Sequence, residues 1–148
     1  MPFLLSCAML NKIEHIGIAV KNENSATAIF NALFNQQPYK KEVVVSENVN
    51  TVFYQIGDSK IELLAASSSD SAIAKFIDKR GEGIHHIAFA VDDINTEIKR
   101  LKESGFEFIS EEPKQGADNK LICFLHPKSS NGVLIELCQE RYSGGFGV

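Results

Sequence analysis

The stretch G-E-G-I-H-H-I-A-F-A-V-D-D at residues 81–93 decides the fold predicted for this chain. Its pattern is typical of a loop, a strand and the start of a helix. Within it, H-H-I-A-F-A-V at residues 85–91 resembles E-H-I-G-I-A-V at residues 14–20, 71 residues earlier. A second motif, I-E-L, occurs at residues 61–63 and again at 135–137, 74 residues later. Two such similar offsets indicate an internal duplication.

The repeated strand carries a histidine followed by small residues. Alternate residues of a strand face the same side of the sheet, so His15 shares a face with Gly17 and Ala19. The same pattern follows His86 in the second copy, and the opposite face is apolar in both copies. Small residues beside a polar group leave room for a ligand.

The I-E-L motif places Glu62 and Glu136 in the middle of strands, between apolar residues. A carboxylate in that position is unusual unless it is paired or binds a cation. A single strand histidine is more often a hydrogen-bonded, half-buried residue, and a single strand glutamate more often faces solvent. Four such residues at equivalent places in two copies favour a divalent metal site with His15, Glu62, His86 and Glu136 as ligands.

The neighbouring histidine, His85, lies on the apolar side of its strand by the same alternation. We interpret it as structural, and the alternative is that His85 and His86 exchange roles.

Composition bounds the class of protein. A chain of 148 residues is long enough for one domain with a sizeable core. The net charge is -4 and no basic run occurs, which argues against nucleic acid as a partner. No apolar stretch reaches the length of a membrane span, so no membrane partner is expected. The cysteines, Cys7, Cys123 and Cys138, form no C-x-x-C pair, which is typical of free thiols in a reducing cytoplasm.

The pattern along the chain predicts a single α+β domain made of two β-α-β-β-β modules in tandem. The first module covers about 11–66, a linker helix about 70–80 and the second module about 82–139. Flexible ends are predicted at 1–9 and 143–148.

Hydrophobic periodicity predicts the buried face of each module's helix. In the first helix that face is Ala26, Ile29, Phe30 and Leu33. In the second it is Ile94, Ile98 and Leu101. A strand is predicted at 106–110, followed by a loop at 112–119.

These two modules and their ligand positions resemble the vicinal oxygen chelate superfamily, which includes glyoxalase I and the extradiol dioxygenases. The resemblance implies that the modules form a shared, glyoxalase-like metal-binding cleft. Within the superfamily, G-x-G-x-H-H-I-A at residues 81–88 and F-L-H-P-K-S at 124–129 resemble the methylmalonyl-CoA epimerase family. Matching stretches extend over residues 12–139.

This resemblance implies an isomerase of propionate metabolism that inverts the carbon between the carboxylate and the thioester of an acyl-CoA substrate. One divalent metal ion per chain (Co, Ni, Zn or Mn) would stabilise the enolate. It also implies a cytoplasmic homodimer.

The catalytic bases follow from the resemblance only in part. Glu136 is the candidate for one base. The position of the second acid falls near Thr51, which cannot act as a carboxylate, so Glu47, Lys60 or a metal-bound water are the alternatives.

Other activities of the superfamily fit the same residues. The main alternative is glyoxalase I, which isomerises a glutathione hemithioacetal and uses similar ligands. A non-enzymatic binding protein of the same fold is the second alternative. An extradiol dioxygenase, with two histidines and one glutamate, becomes the better interpretation if Glu62 binds no metal.

Overall fold

This computed structural model describes residues 9–141. Its first element is strand β1 (Leu10–Val20). The chain divides into two units. The first unit is Glu14–Ile87, and the second comprises the described residues up to Ile13 and from Ala88 onward. Strand β1 and strand β5 (Gly83–Val91) each run through the boundary between the units.

The first unit contains a strand, a helix, three strands and a second helix. After β1 these are α1 (Glu23–Phe34), β2 (Lys40–Val44), β3 (Val49–Ile56), β4 (Ser59–Ala66) and α2 (Ala72–Arg80). The strand order is β2-β3-β4-β1-β5. Strands β2, β3 and β4 pair antiparallel, whereas β4 returns beside β1 and pairs with it in parallel. This register sets Glu62 opposite Gly17 and Lys60 opposite His15.

The sheet of the first unit is covered differently on its two faces. On one face Val20 and Leu63 pack in a cluster with Phe30 of α1. On the other face Ala19 and Leu64 pack with Ile73 of α2. Because strand residues alternate, the second face is the one that carries His15, Gly17 and Glu62.

The predicted buried face of α1 is wrong in part. Ala26 is buried as predicted, but Ile29 and Leu33 are 64% and 68% exposed. Phe30 packs against the core as predicted, and Phe34 takes the place expected for Ile29 and Leu33, with its ring meeting Tyr54 edge-on at 5.1 Å. The larger aromatic rings bury more apolar area than Ile29 and Leu33 would, so they decide the orientation of the helix.

The second unit repeats the order of the first. After β5 come α3 (Ile94–Glu103), β6 (Lys114–Gln115), β7 (Lys120–Phe124) and β8 (Ile135–Glu140), and the strand order is β5-β8-β7-β6. Helix α3 buries Ile94, Ile98 and Leu101, which confirms its predicted inner face.

The predicted strand at 106–110 is wrong. Only Phe108 forms a bridge there, with Leu125, and the short β6 falls inside the segment predicted as a loop. Phe106 and Phe108 pack instead against the apolar cluster beneath α3. The burial of these two rings therefore holds the segment in an irregular conformation. Aromatic residues are common in strands, which is why the sequence predicted a strand here.

The predicted flexible ends fall almost entirely on residues 1–8 and 142–148, which lie outside the described residues, as does Cys7. None of the helices between residues 9 and 141 is both long enough and apolar enough to cross a membrane.

Candidate metal-binding site

Three of the four predicted ligands meet in the first unit. His15 lies on β1, Glu62 on β4 and His86 on β5. The Nε2 atoms of His15 and His86 are 3.0 Å apart, and Nδ1 of His15 is 3.2 Å from Oε2 of Glu62. All three side chains are buried.

The spacing of the two histidines fits a metal ion. Two nitrogens about 2.1 Å from one metal are separated by about 3.0 Å at a right angle, as in octahedral coordination, and by about 3.4 Å at the tetrahedral angle. A distance of about 3.0 Å is also that of a hydrogen bond between two imidazole rings. His15 and His86 present their Nε2 atoms to each other at that separation. Imidazole nitrogens suit Zn and Ni among other divalent metals, so the donor chemistry also allows a metal at this position.

Glu62 occupies a different position around His15. Its carboxylate faces Nδ1, on the opposite side of the imidazole from the atom that meets His86. Metal ligation by Glu62 therefore stays a prediction.

Glu14 is a site residue that the sequence reasoning missed. Its carboxylate is buried, with Oε1 2.5 Å from Nδ1 of His15 and Oε2 2.9 Å from Nζ of Lys60. Burial on its own would raise the pKa of Glu14, but the hydrogen bonds and charges of His15 and Lys60 outweigh it and lower the pKa to about 2. An ionised carboxylate at Nδ1 favours the proton there and leaves Nε2 as the electron-pair donor.

The internal repeat could not have revealed Glu14, because the equivalent position of the second copy is His85. His85 is half-buried, and its Nδ1 lies 2.9 Å from Nδ1 of His86. Its ring also meets Phe76 of α2 edge-on, with the ring centroids 4.9 Å apart. The structural role assigned to His85 stays a prediction.

Glu136, the fourth predicted ligand, belongs to the second unit. It lies on β8 opposite Phe124 and is 5% exposed. The thiol of Cys138, two residues along the same strand, donates a hydrogen bond of 3.0 Å to its Oε2. Burial, and then the charge of Glu136, raises the pKa of Cys123 to about 12.

The position expected for the second base, Thr51, and the two side chains named as alternatives, Glu47 and Lys60, all lie in the first unit. Thr51 is 1% exposed and pairs with Leu64 in the sheet, and its hydroxyl is no carboxylate base. Lys60 is held by Glu14. Glu47 is half-buried at the end of the 3₁₀ turn that precedes β3.

Comparison with known proteins gives a consistent result. A family model described as the glyoxalase/bleomycin resistance protein/dioxygenase superfamily matches residues 14–124. An ethylmalonyl-CoA/methylmalonyl-CoA epimerase of Cereibacter sphaeroides is 38% identical over 133 residues, which is 88% of this chain and 99% of that protein.

Two solved structures carry the same family name. The methylmalonyl-CoA epimerase of Mycobacterium tuberculosis superposes with a TM-score of 0.87 at 30% identity, covering 94% of each chain. A methylmalonyl-CoA epimerase in complex with methylmalonyl-CoA and NH4+ superposes with a TM-score of 0.83 at 32% identity, covering 89% of this chain and 96% of that one. These matches confirm the predicted glyoxalase-like α+β fold and the resemblance to the epimerases.

Proposed function

Because the chain belongs to the glyoxalase/bleomycin resistance/dioxygenase superfamily, we propose that it is a metal-dependent methylmalonyl-CoA epimerase. The observation that carries the proposal is the 38% identity to an epimerase, extending over 99% of that relative. The buried histidine pair is consistent with a metal site, since His15 and His86 present their Nε2 atoms to each other at 3.0 Å, a distance that also suits a hydrogen bond between the rings.

We propose that His15, Glu62, His86 and Glu136 hold one divalent metal ion. Support for His15 and His86 is their 3.0 Å Nε2 separation and their burial. The assignment of Glu62 and Glu136 as ligands is supported by their equivalent positions in the two I-E-L motifs and by the burial of both carboxylates. Co, Ni, Zn and Mn all fit this donor set. When bound, such an ion acts as a Lewis acid on the oxygens that gain charge as the enolate forms.

The bases of the reaction are assigned to two carboxylates of the chain. Epimerisation needs one group to take the proton from C2 and another to return a proton on the opposite face. Glu136 is the proposed base on one side. Of the two side chains proposed for the other base, Glu47 is the better candidate, because it is a half-buried carboxylate, whereas Lys60 forms an ion pair with Glu14.

The names of the relatives support an acyl-CoA substrate, because one solved epimerase contains methylmalonyl-CoA. We propose an acyl-CoA substrate, a homodimeric assembly, a role in propionate metabolism and a cytoplasmic location. Light scattering of the purified protein tests the dimer, and a mass equal to one chain would exclude it.

The first experiment is proton exchange at C2 of methylmalonyl-CoA in D2O, with metal-stripped protein and again after Co(II) is added. The expected result is deuterium incorporation with inversion at C2 only when Co(II) is present. Glu47→Gln is expected to lower the rate at least about 100-fold without changing Co(II) affinity, as a lost general base does. Metal binding without exchange would overturn the epimerase proposal, and the hemithioacetal of methylglyoxal and glutathione would then test glyoxalase I.

A further inference from the structure

Gly17 lies against the ring of His86. It is buried in the middle of β1, opposite Glu62 of β4. A Cβ atom added to Gly17 would lie 2.4 Å from Cε1, 2.7 Å from Nδ1 and 3.0 Å from Nε2 of His86. Non-bonded carbon atoms sit at about 3.5–4.0 Å, so a side chain at this position and the present ring of His86 exclude each other.

The ring of His86 is also held at both of its nitrogen atoms. Nε2 is 3.0 Å from Nε2 of His15, and Nδ1 is 2.9 Å from Nδ1 of His85. His85 in turn packs on the ring of Phe76. With His86 only 6% exposed, the ring cannot withdraw from a new methyl group without giving up one of these contacts.

The backbone gives no other reason for a glycine here. Gly17 is part of a continuous extended strand and does not have the left-handed conformation that favours glycine. A glycine inside a strand is unfavourable in itself, because it loses more conformational freedom on folding than alanine does. The close approach of His86 is therefore the feature that accounts for Gly17.

We propose that Gly17 is the positioning residue for His86: the missing side chain fixes the ring in the orientation that aims its Nε2 at Nε2 of His15. The consequence for metal binding rests on the proposed function. The consequence for the packing of the metal-free protein does not.

The test is a double-mutant cycle on metal-free protein with Gly17→Ala, His86→Ala and the double variant, followed by thermal unfolding. Gly17→Ala is expected to lower the melting temperature in the parent chain, because the methyl group displaces a buried ring. In the His86→Ala background the ring is absent, so the same substitution is expected to leave the melting temperature unchanged or raise it.

A titration with Co(II) then tests whether the ring of His86 is still placed to bind the ion. Gly17→Ala is expected to weaken Co(II) binding at least about tenfold, as changes around a ligating histidine do. Equal effects of Gly17→Ala on melting temperature in both backgrounds would overturn the proposal, and so would parent-like Co(II) affinity. If Gly17→Ala alone does not fold, folding of the double variant supports the proposal and its failure to fold refutes it. Failure of the parent chain to bind Co(II) would refute the proposed metal site, while the thermal cycle still decides the role of Gly17.

Discussion

At the scale of single residues, the pair of His15 and His86 allows a direct test of the metal site. His86→Ala removes one of the two nitrogens that face each other at 3.0 Å, so Co(II) affinity is expected to fall by more than about 100-fold. The matched control is His126→Ala. His126 is exposed, and its Nδ1 accepts a hydrogen bond from the backbone of Lys128. Calorimetric titration with Co(II) gives both affinities, and equal losses in the two variants would refute the assignment of His86.

Cys123 offers a prediction about pH. Burial, reinforced by the charge of Glu136, raises its pKa from 9.0 to about 12. The native thiol therefore keeps its proton between pH 9 and pH 12, where the thiol of the unfolded chain loses it. Its contribution to stability is complete below about pH 9 and is lost as the pH rises towards 12.

The measurement for Cys123 is alkylation by iodoacetamide at pH 9 with metal-free protein, read by peptide mass spectrometry. Only thiolates react, so Cys123 is expected to stay unmodified in the native protein and to react fully in urea. Equal labelling rates in the two conditions would show that the native thiol is both accessible and ionised, against its burial and raised pKa.

At the scale of secondary-structure elements, α3 carries a buried carboxylate that is only half satisfied. Glu97 is 1% exposed, and its Oε1 accepts hydrogen bonds from Arg100. Within residues 9–141 no group donates a hydrogen bond to its Oε2. An unsatisfied buried oxygen costs about 1–3 kcal/mol, and an apolar side chain of similar size avoids this cost.

Urea unfolding of metal-free variants tests this balance. Glu97→Met is expected to raise the free energy of unfolding by about 1 kcal/mol. Arg100→Met is expected to lower it by about 2 kcal/mol, since it leaves the buried carboxylate without its cation. Glu103→Met, at an exposed position of the same helix, serves as the control and should stay within about 0.5 kcal/mol of the parent. A destabilised Glu97→Met variant would mean that the ion pair outweighs the unsatisfied oxygen.

Helices α1 and α3, which occupy equivalent places in the two modules, show when hydrophobic periodicity is enough to predict the buried face of a helix. In α3 the apolar residues form one stripe, and the predicted face of Ile94, Ile98 and Leu101 is buried. In α1 apolar residues occur around most of the helix, so the 3.6-residue period does not single out one face. The contact between Phe34 and Tyr54 decides which face of α1 is buried. That contact joins residues of two different elements, so the helix sequence alone does not reveal it.

At the scale of the whole molecule, the duplication predicted the order of both modules and brought His15, Glu62 and His86 to one place. Strand alternation was enough to predict that these side chains share a face of the sheet, because alternate residues of a strand point to the same side. The partner of each ring nitrogen could not be predicted, since it depends on the path of single side chains. Glu14 is the example: strand alternation sets it on the face away from His15, yet its carboxylate reaches the Nδ1 atom.

The parallel pairing of β1 with β4 has a consequence for folding during translation. During synthesis β1 leaves the ribosome before the other described elements, but its parallel partner β4 is translated only after α1, β2 and β3. The hairpin of β3 and β4 joins adjacent segments and closes within about 1–10 μs, whereas docking of β1 must first close a long loop of chain. Nascent chains therefore carry an unpaired β1 until β4 emerges, and the proposed ligands His15 and Glu62 come together only after that point.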